Sequence, residues 1–437
     1  MHLAAVIHAV FANALPASAL FLTGQFAASL AILRLVDGKW VFQDLRVFFV
    51  VAFFLYGGTL PGVVALGFGG ETGGMPGAAC MYATALFGFN VVQWWYRQPW
   101  RDVPAESFDK IRPSFSNAVV LLVASVAVAG YAVTRGYAFQ LTIDRGQVLL
   151  LGTQVWVVSM FVFNGLAMFM LAGWGNLNSR ARLLLLGSIA FFVLFQLSLG
   201  NRRDFLPMFL FVVGIVATRR QSVVRFGTIV AGFAGFLALT LVGLLREVMG
   251  NPAVLLQRSP VRLLVTQSEF VSPIQTLMHY IDVSRPLRWG WTYIAAPSLF
   301  VPRAFWPDKP ESLSLQFMRD KFGSISLMGF AYTPVTEAFI NFGWLGPFVM
   351  FSLLSIIMVK LVRTADLYPG LYFFAFAYVI DFNRGDFGGT LYSLIFVAGG
   401  YAMMRFISRL RWAPARLSVG WRAAPVSVTV RESVPNR

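Results

Sequence analysis

The chain has 437 residues, 57% hydrophobic and only 12% charged, with a formal net charge of +16. Soluble domains carry roughly a quarter charged residues, so half that share beside 43 phenylalanines means that most of the surface faces something apolar. The positive balance does not indicate a nucleic-acid partner, because polyanion binding needs a basic face on a water-exposed module and none is visible.

Apolar runs near 20 residues, enough to cross a hydrocarbon core of ~30 Å, recur along the whole chain. They predict eleven spans at 3–33, 46–66, 78–96, 117–134, 147–172, 183–200, 204–218, 226–245, 340–360, 367–382 and 386–404. The first is long and contains Pro16 and Gly24, which predicts a kink or a preceding interfacial segment. The opening MHLAAVIHAV lacks a basic n-region and a small-residue cleavage site, so no removable signal peptide is expected. Cys80 is the sole cysteine, which excludes an intrachain disulfide.

The basic residues set the orientation. One set of connections holds Arg34, Lys39 and Arg46; Arg97, Arg101, Lys110 and Arg112; Arg180 and Arg182; Arg219, Arg220 and Arg225; Lys360 and Arg363. With Arg405, Arg409, Arg411, Arg416, Arg422, Arg431 and Arg437 of the tail, these are 21 of the 35 basic residues. The alternate short connections hold only Arg135, Arg145, Arg202, Arg203 and Arg384. By the positive-inside rule the first set and the C-terminus face the cytoplasm and the N-terminus lies outside. The expected fold class is therefore all-α: a polytopic inner-membrane protein of about eleven transmembrane helices. A single membrane domain spans 1–410, interrupted by one large extracytoplasmic loop at 246–339, and a flexible basic cytoplasmic tail follows at 411–437.

That loop is rich in Trp, Phe, Tyr and Leu and is not a disordered linker. Its NPAVLLQRSPVRLLVTQ stretch predicts short amphipathic helices at the interface, and PSLFVPRAFWPDKP predicts an ordered, turn-rich segment.

Charges at the expected outer helix mouths are the candidate site. GNRRDF holds Arg202, Arg203 and Asp204; FNRGDFGG holds Asp381, Arg384 and Asp386; LLREV opens the loop with Arg246 and Glu247. Charges at membrane depth are costly and usually face a protein interior or watery cavity, and guanidinium groups suit phosphate oxygens. Simple ion pairs that cap helices would use the same residues. Within the loop, Arg303, Trp306, Asp308 and Lys309 share the Pro-rich turn. Trp306 and Trp291 offer planes for sugar faces or rings for an interfacial aromatic belt. His279 offers a general base or a structural hydrogen bond. Glu337 and Asn341 in TPVTEAFINFGWLG lie four apart and share a helix face. Glu337 there would abstract a proton from a sugar hydroxyl or pair with an arginine. There is no HExxH, no CxxC pair and no DxD string, and FGGETGG lacks the GK[ST] of a phosphate loop, so no metal, cofactor or ATP use is read.

The order of GNRRDF, then FVPRAFWPDKP, then TPVTEAFINFGWLG, then a late RGD mouth resembles the bacterial oligosaccharide repeat-unit polymerases of the Wzy type. The best match is PR-x-x-WP-x-KP … E-x-x-x-NFG-x-x-G over 302–346; the likeness covers roughly 200–400, and the first half agrees only in hydropathy. The resemblance implies a GT-C-like fold related to O-antigen ligases. It also implies O-antigen or exopolysaccharide polymerisation at the outer face of the inner membrane, without metal or nucleotide sugar. The implied substrates are undecaprenyl-diphosphate-linked oligosaccharides, with membrane lipids, a chain-length regulator and a flippase as partners. It carries phosphate-binding or catalytic roles onto Arg202, Arg203, Arg246, Arg303 and Arg384, and an acid or base role onto Glu337, with His279 second. Trp306, Lys309, Asn341 and Asp386 complete the expected substrate contacts.

An O-antigen ligase shares fold and chemistry and differs in acceptor. A lipid-linked oligosaccharide flippase predicts charges near the midplane and symmetric halves. An exosortase-type enzyme needs a Cys–His pair, which Cys80 and His279 do not suggest, and a membrane subunit without chemistry needs no site at all.

Overall fold

The computed structural model describes residues 15–39, 41, 43–66, 73–100, 103–104, 106–134, 154–198, 206–219, 271–283, 285–301, 305–323 and 331–410. Their regular elements are all helical, as expected where lipid leaves backbone groups no partner outside the segment. In chain order they are α1 (Leu15–Asp37), α2 (Leu45–Ala65), α3 (Met75–Tyr96), α4 (Glu106–Asp109), α5 (Phe115–Thr134), α6 (Gln154–Ala172), α7 (Ser179–Ser198) and α8 (Leu206–Arg219). After 271 follow α9 (Ser272–Asp282), α10 (Trp291–Ala295), a 3-10 turn (Ala296–Phe300), α11 (Leu313–Phe322) and α12 (Pro334–Phe342). The last four are α13 (Gly346–Arg363), α14 (Pro369–Ala377), α15 (Val379–Asn383) and α16 (Phe387–Arg409).

Among these, six helices are long and apolar enough to cross a membrane: α1, α2, α3, α7, the run Pro334–Arg363 and α16. Phe115–Tyr131, Ser159–Ala172 and Leu206–Arg219 are shorter apolar helices. The described part of every expected span except the eighth falls on a helix or helix pair; 226–245 lies outside the described residues, as do 3–14 of the first span, 147–153 of the fifth, 199–200 of the sixth, 204–205 of the seventh, the NPAVLLQRSPVRLLVTQ stretch and the tail beyond 410. The span expected at 367–382 is two helices, because the chain turns at Tyr378 between α14 and α15. The run entering α13 is likewise interrupted, by a 3-10 turn at Gly343–Leu345.

Small residues set the packing. Gly88 of α3 lies against α13 so closely that a Cβ would come 2.4 Å from the Phe348 carbonyl oxygen. The same seam carries hydrogen bonds from Ser355 Oγ to the Phe89 carbonyl (3.1 Å) and from Gln93 Nε2 to Ser355 Oγ (2.9 Å). Glycines at α6 and α16 make a reciprocal contact, Gly165 against Val397 and Gly400 against Val162. Close approach of this kind drives helix association where lipid removes the hydrophobic driving force.

The connections rich in Lys and Arg gather at one end. The α1–α2 turn joins the end of α3 through Arg46, which donates to Asp37 and to the Gln98 carbonyl. The start of α14 joins them, with the Tyr372 hydroxyl donating to the Gln43 carbonyl at 2.7 Å. Asn117 at the start of α5 donates to the Met404 carbonyl near the end of α16, and Asn176 after α6 donates to the Ile111 carbonyl. The described residues between 271 and 342 cap the opposite end, where Gly74 and Gly77 before and within α3 touch α9. This cap has a small core of its own, formed by Tyr280, Leu313, Phe317, Met318, Tyr332 and Ile340.

Candidate functional site

The site is built from three pieces of chain that meet at the start of α16. The first is α12. Thr333 caps it by accepting from the Val335 N–H, Pro334 occupies its first turn, and the Tyr82 hydroxyl of α3 meets Thr333 Oγ1 at 3.0 Å. Glu337 and Asn341 share one face of this helix, as their spacing predicts, and both are buried.

The second piece is the strap 285–291. The carbonyls of a last helical turn lack intrahelical donors, and the strap supplies them: Arg288 N–H reaches the Ile340 carbonyl and Trp289 N–H the Asn341 carbonyl, each at 3.0 Å. Gly290, at φ +84°, turns the chain into α10 and donates its N–H to Asn341 Oδ1 at 3.0 Å. Thr292 then sits over Glu337.

The third piece is the α15–α16 corner. Asp386 caps α16 through the Gly389 N–H (2.6 Å), and its second oxygen accepts from the Leu313 N–H (3.3 Å). The next N–H, that of Phe387, donates to Glu337 Oε2 at 2.6 Å. Glu337 Oε1 accepts from the Thr292 hydroxyl at 2.6 Å, and Thr292 in turn accepts from Asn341 Nδ2 at 2.7 Å.

Above this network opens a small cleft. Glu337, Asp386 and Glu311 contribute carboxylates; Arg288 contributes a guanidinium whose Nη1 donates to Gln316 Oε1 at 2.7 Å. Thr292, Ser298, Ser312 and Gln316 add neutral polar groups, and Trp291 and Leu299 add apolar surface. The Trp291 ring thus stands beside several hydrogen-bond donors and acceptors.

Glu337 and Asp386 therefore share the cleft wall, and Asn341 stands directly behind Glu337. Lys309 is buried, its ammonium donating to the carbonyls of Val301 (2.7 Å) and Leu299 (3.3 Å); it braces the Pro-rich turn. Trp306 is exposed and does not line the cleft. Arg384 is buried at the end of α15, two residues before Asp386, and is not among the lining residues. His279 lies on α9 with its ring edge-on to Phe317, away from the cleft lining, and its buried Nε2 has no hydrogen-bond partner among the described residues. Burial foremost, and then the cations Lys321 and Arg285, lower its pKa below the usual 6.5. Arg202, Arg203, Arg246 and Arg303 lie outside the described residues.

Sequence reasoning missed Arg288, Thr292, Glu311, Ser312 and Gln316. The signal for the first two is RWGWT at 288–292, a glycine between two tryptophans that allows the turn delivering Thr292 to Glu337. Nothing comparable marks Glu311, Ser312 or Gln316, which reach the cleft through tertiary packing alone.

The apolar helices, their glycine seams and the polar cap are those of a helical membrane protein. No family model, no curated protein and no solved structure matches the chain.

Proposed function

We propose that this chain is a membrane glycosyltransferase that polymerises lipid-linked oligosaccharide repeat units at the face opposite its basic end. The basic end would then face the cytoplasm of a bacterial inner membrane. The observation that carries the reading is Glu337, buried at the floor of a polar cleft rimmed by Trp291 and Arg288.

In the proposed reaction the acceptor's hydroxyl oxygen attacks the anomeric carbon of a glycan held on a lipid diphosphate. A new C–O bond forms, the bond to the diphosphate oxygen breaks, and its electron pair leaves with the diphosphate. The hydroxyl proton passes to Glu337 once Thr292 swings aside, a general-base step of the usual carboxylate kind. Arg288 meets the developing negative charge, with Arg202, Arg203, Arg246, Arg303 and Arg384 as the further cations that the family resemblance assigns to this role. Trp291 stacks on the sugar. A ligase would run the same chemistry with a different acceptor.

The test is reconstitution of the purified chain in proteoliposomes with a lipid-linked repeat unit. The reading requires a ladder of lengthened lipid-linked glycans and free lipid diphosphate. Unchanged repeat units, with the protein folded and inserted, overturn it.

A further inference from the structure

We propose that Leu287–Ile294 is an interfacial strap that seats Leu287, Trp289 and Ile294 in the lipid headgroup region, at the membrane face where α13 begins. The proposal stands apart from the glycosyltransferase reading and holds whether or not that reading survives.

The argument starts from exposure. Trp289 is 75% exposed, Trp291 57%, Ile294 70% and Leu287 37%. Four large apolar side chains within eight residues would be a costly surface in water, and clusters of this kind mark contact with another apolar phase.

Height in the fold says which phase. Leu287 lies beside Gly343, Gly290 lies beside the Phe342 ring, and the Trp289 N–H binds the Asn341 carbonyl. These partners are the last two residues of α12 and the first of the 3-10 turn that leads into α13, whose apolar run opens with Gly346 and Pro347. The strap is thus level with the boundary of a membrane-spanning helix, the depth at which tryptophan concentrates because its ring is apolar and its N–H wants water.

The backbone turn explains how the ring comes to face out. Trp289 holds φ at +50°, a left-handed conformation rare for a bulky side chain. The ring gains no buried packing in return. The turn sets the Trp289 and Gly290 N–H groups on Asn341 and leaves the indole outside the fold. The strap also faces two ways. Arg288 and Thr292 turn inward to Gln316 and Glu337, while Trp289 and Ile294 face out. Trp291 borders both, so the leaflet surface runs up to the cleft mouth.

The experiment uses the full chain with Cys80→Ala, which removes the sole thiol, and a nitroxide spin label at Trp289→Cys. The protein is placed in vesicles of phosphatidylethanolamine and phosphatidylglycerol. Labels at Ile294→Cys and at Arg319→Cys, on the charged helix α11, serve as a second strap position and a water-side control. The expected result is that oxygen, which partitions into lipid, relaxes both strap labels several-fold more effectively relative to a water-soluble nickel chelate than it does the control. Strap labels with the same oxygen-to-nickel ratio as Arg319→Cys overturn the proposal by putting the strap in water. Low collision with both reagents overturns it by showing a protein cover, a second copy included.

Discussion

Thr292 and Glu337 meet through one hydrogen bond of 2.6 Å, and the residues around them fix which way its proton points. Gly290 N–H occupies Asn341 Oδ1, so the Asn341 amide must present its NH2 to Thr292 Oγ1. That leaves the Thr292 proton for Glu337 alone. With the Phe387 N–H on the other oxygen, each carboxylate oxygen has a donor, and only Thr292 can rotate away. Glu337→Gln should therefore cut glycan lengthening by about a hundredfold or more, the usual contribution of a general base, with the protein still inserted. Product ladders from reconstituted wild type and variant measure this; near-wild-type lengthening removes Glu337 from the chemistry. Thr292→Val removes one of the two acceptors of the Asn341 NH2 and the donor on Glu337 Oε1, and should cost about 1–3 kcal/mol of stability, read as a lower midpoint in detergent thermal unfolding.

How much of this was legible in the sequence depends on the range of the interaction. Apolar runs marked the spans because lipid leaves a helix no other way to satisfy its backbone. Glu337 and Asn341 were legible as a pair because i and i+4 share a helix face. What one sequence does not encode locally is the meeting of Asn341 with Gly290 across 51 positions, or of Glu337 with Phe387 across 50. The same blindness hid Arg46, which counted towards a basic loop yet lies fully buried between Asp37 and Asp44.

Arg288 is the cation that the described cleft offers to an anionic group. Its side chain is partly exposed and donates to Gln316, while its structural duty to α12 rests on the backbone N–H. Arg288→Ala should therefore leave the fold intact and weaken use of the lipid diphosphate, lowering kcat/KM by about tenfold, the scale of one charge-assisted hydrogen bond. Steady-state kinetics on the reconstituted protein separates this from a folding defect, which would lower the inserted fraction instead.

Arg46 carries no such latitude. Its guanidinium reaches Asp44 at 2.7 Å, Asp37 at 2.9 Å and the Gln98 carbonyl at 2.7 Å, and Asp37 also accepts from the Trp100 N–H. Three segments at the basic end converge on it. Arg46→Met would leave two buried carboxylates facing each other, a change that typically costs about 3–5 kcal/mol. Fluorescence-detected size exclusion after heating should show a large loss, and the triple variant Arg46→Met, Asp37→Asn, Asp44→Asn should recover part of it. A single variant as stable as wild type would mean that the ion cluster is held apart by water.

The α6–α16 seam predicts a steric effect. A Cβ at Gly165 would stand 2.0 Å from the Val397 carbonyl oxygen, and one at Gly400 would stand 2.4 Å from that of Val162. Both obstacles are helix backbone, so neither can swing aside. Gly165→Ala and Gly400→Ala should each destabilise by about 1–3 kcal/mol, the usual range for overpacking. Gly130 on α5, with open space around it, is the matched control. Equal thermal midpoints for Gly165→Ala and Gly130→Ala would show that the seam is looser than described.

His279 supplies the pH dependence, and its sign follows from the lowered pKa. The unfolded chain takes up a proton as the pH falls through the usual 6.5, while the folded ring, half-buried and near Lys321 and Arg285, resists until a lower pH. Between those two values the unfolded state binds more protons, so stability drops with falling pH and levels off below the folded value. Above 6.5 both states are neutral and the group contributes no slope. His279→Gln removes the titration but keeps a polar side chain, and should flatten this part of the acid loss. Thermal midpoints compared at about pH 7.5 and about pH 5 measure it: wild type should lose more than the variant across that interval. Parallel losses would mean that the imidazole is solvated alike in both states, which its buried Nε2 and its edge-on contact with Phe317 argue against.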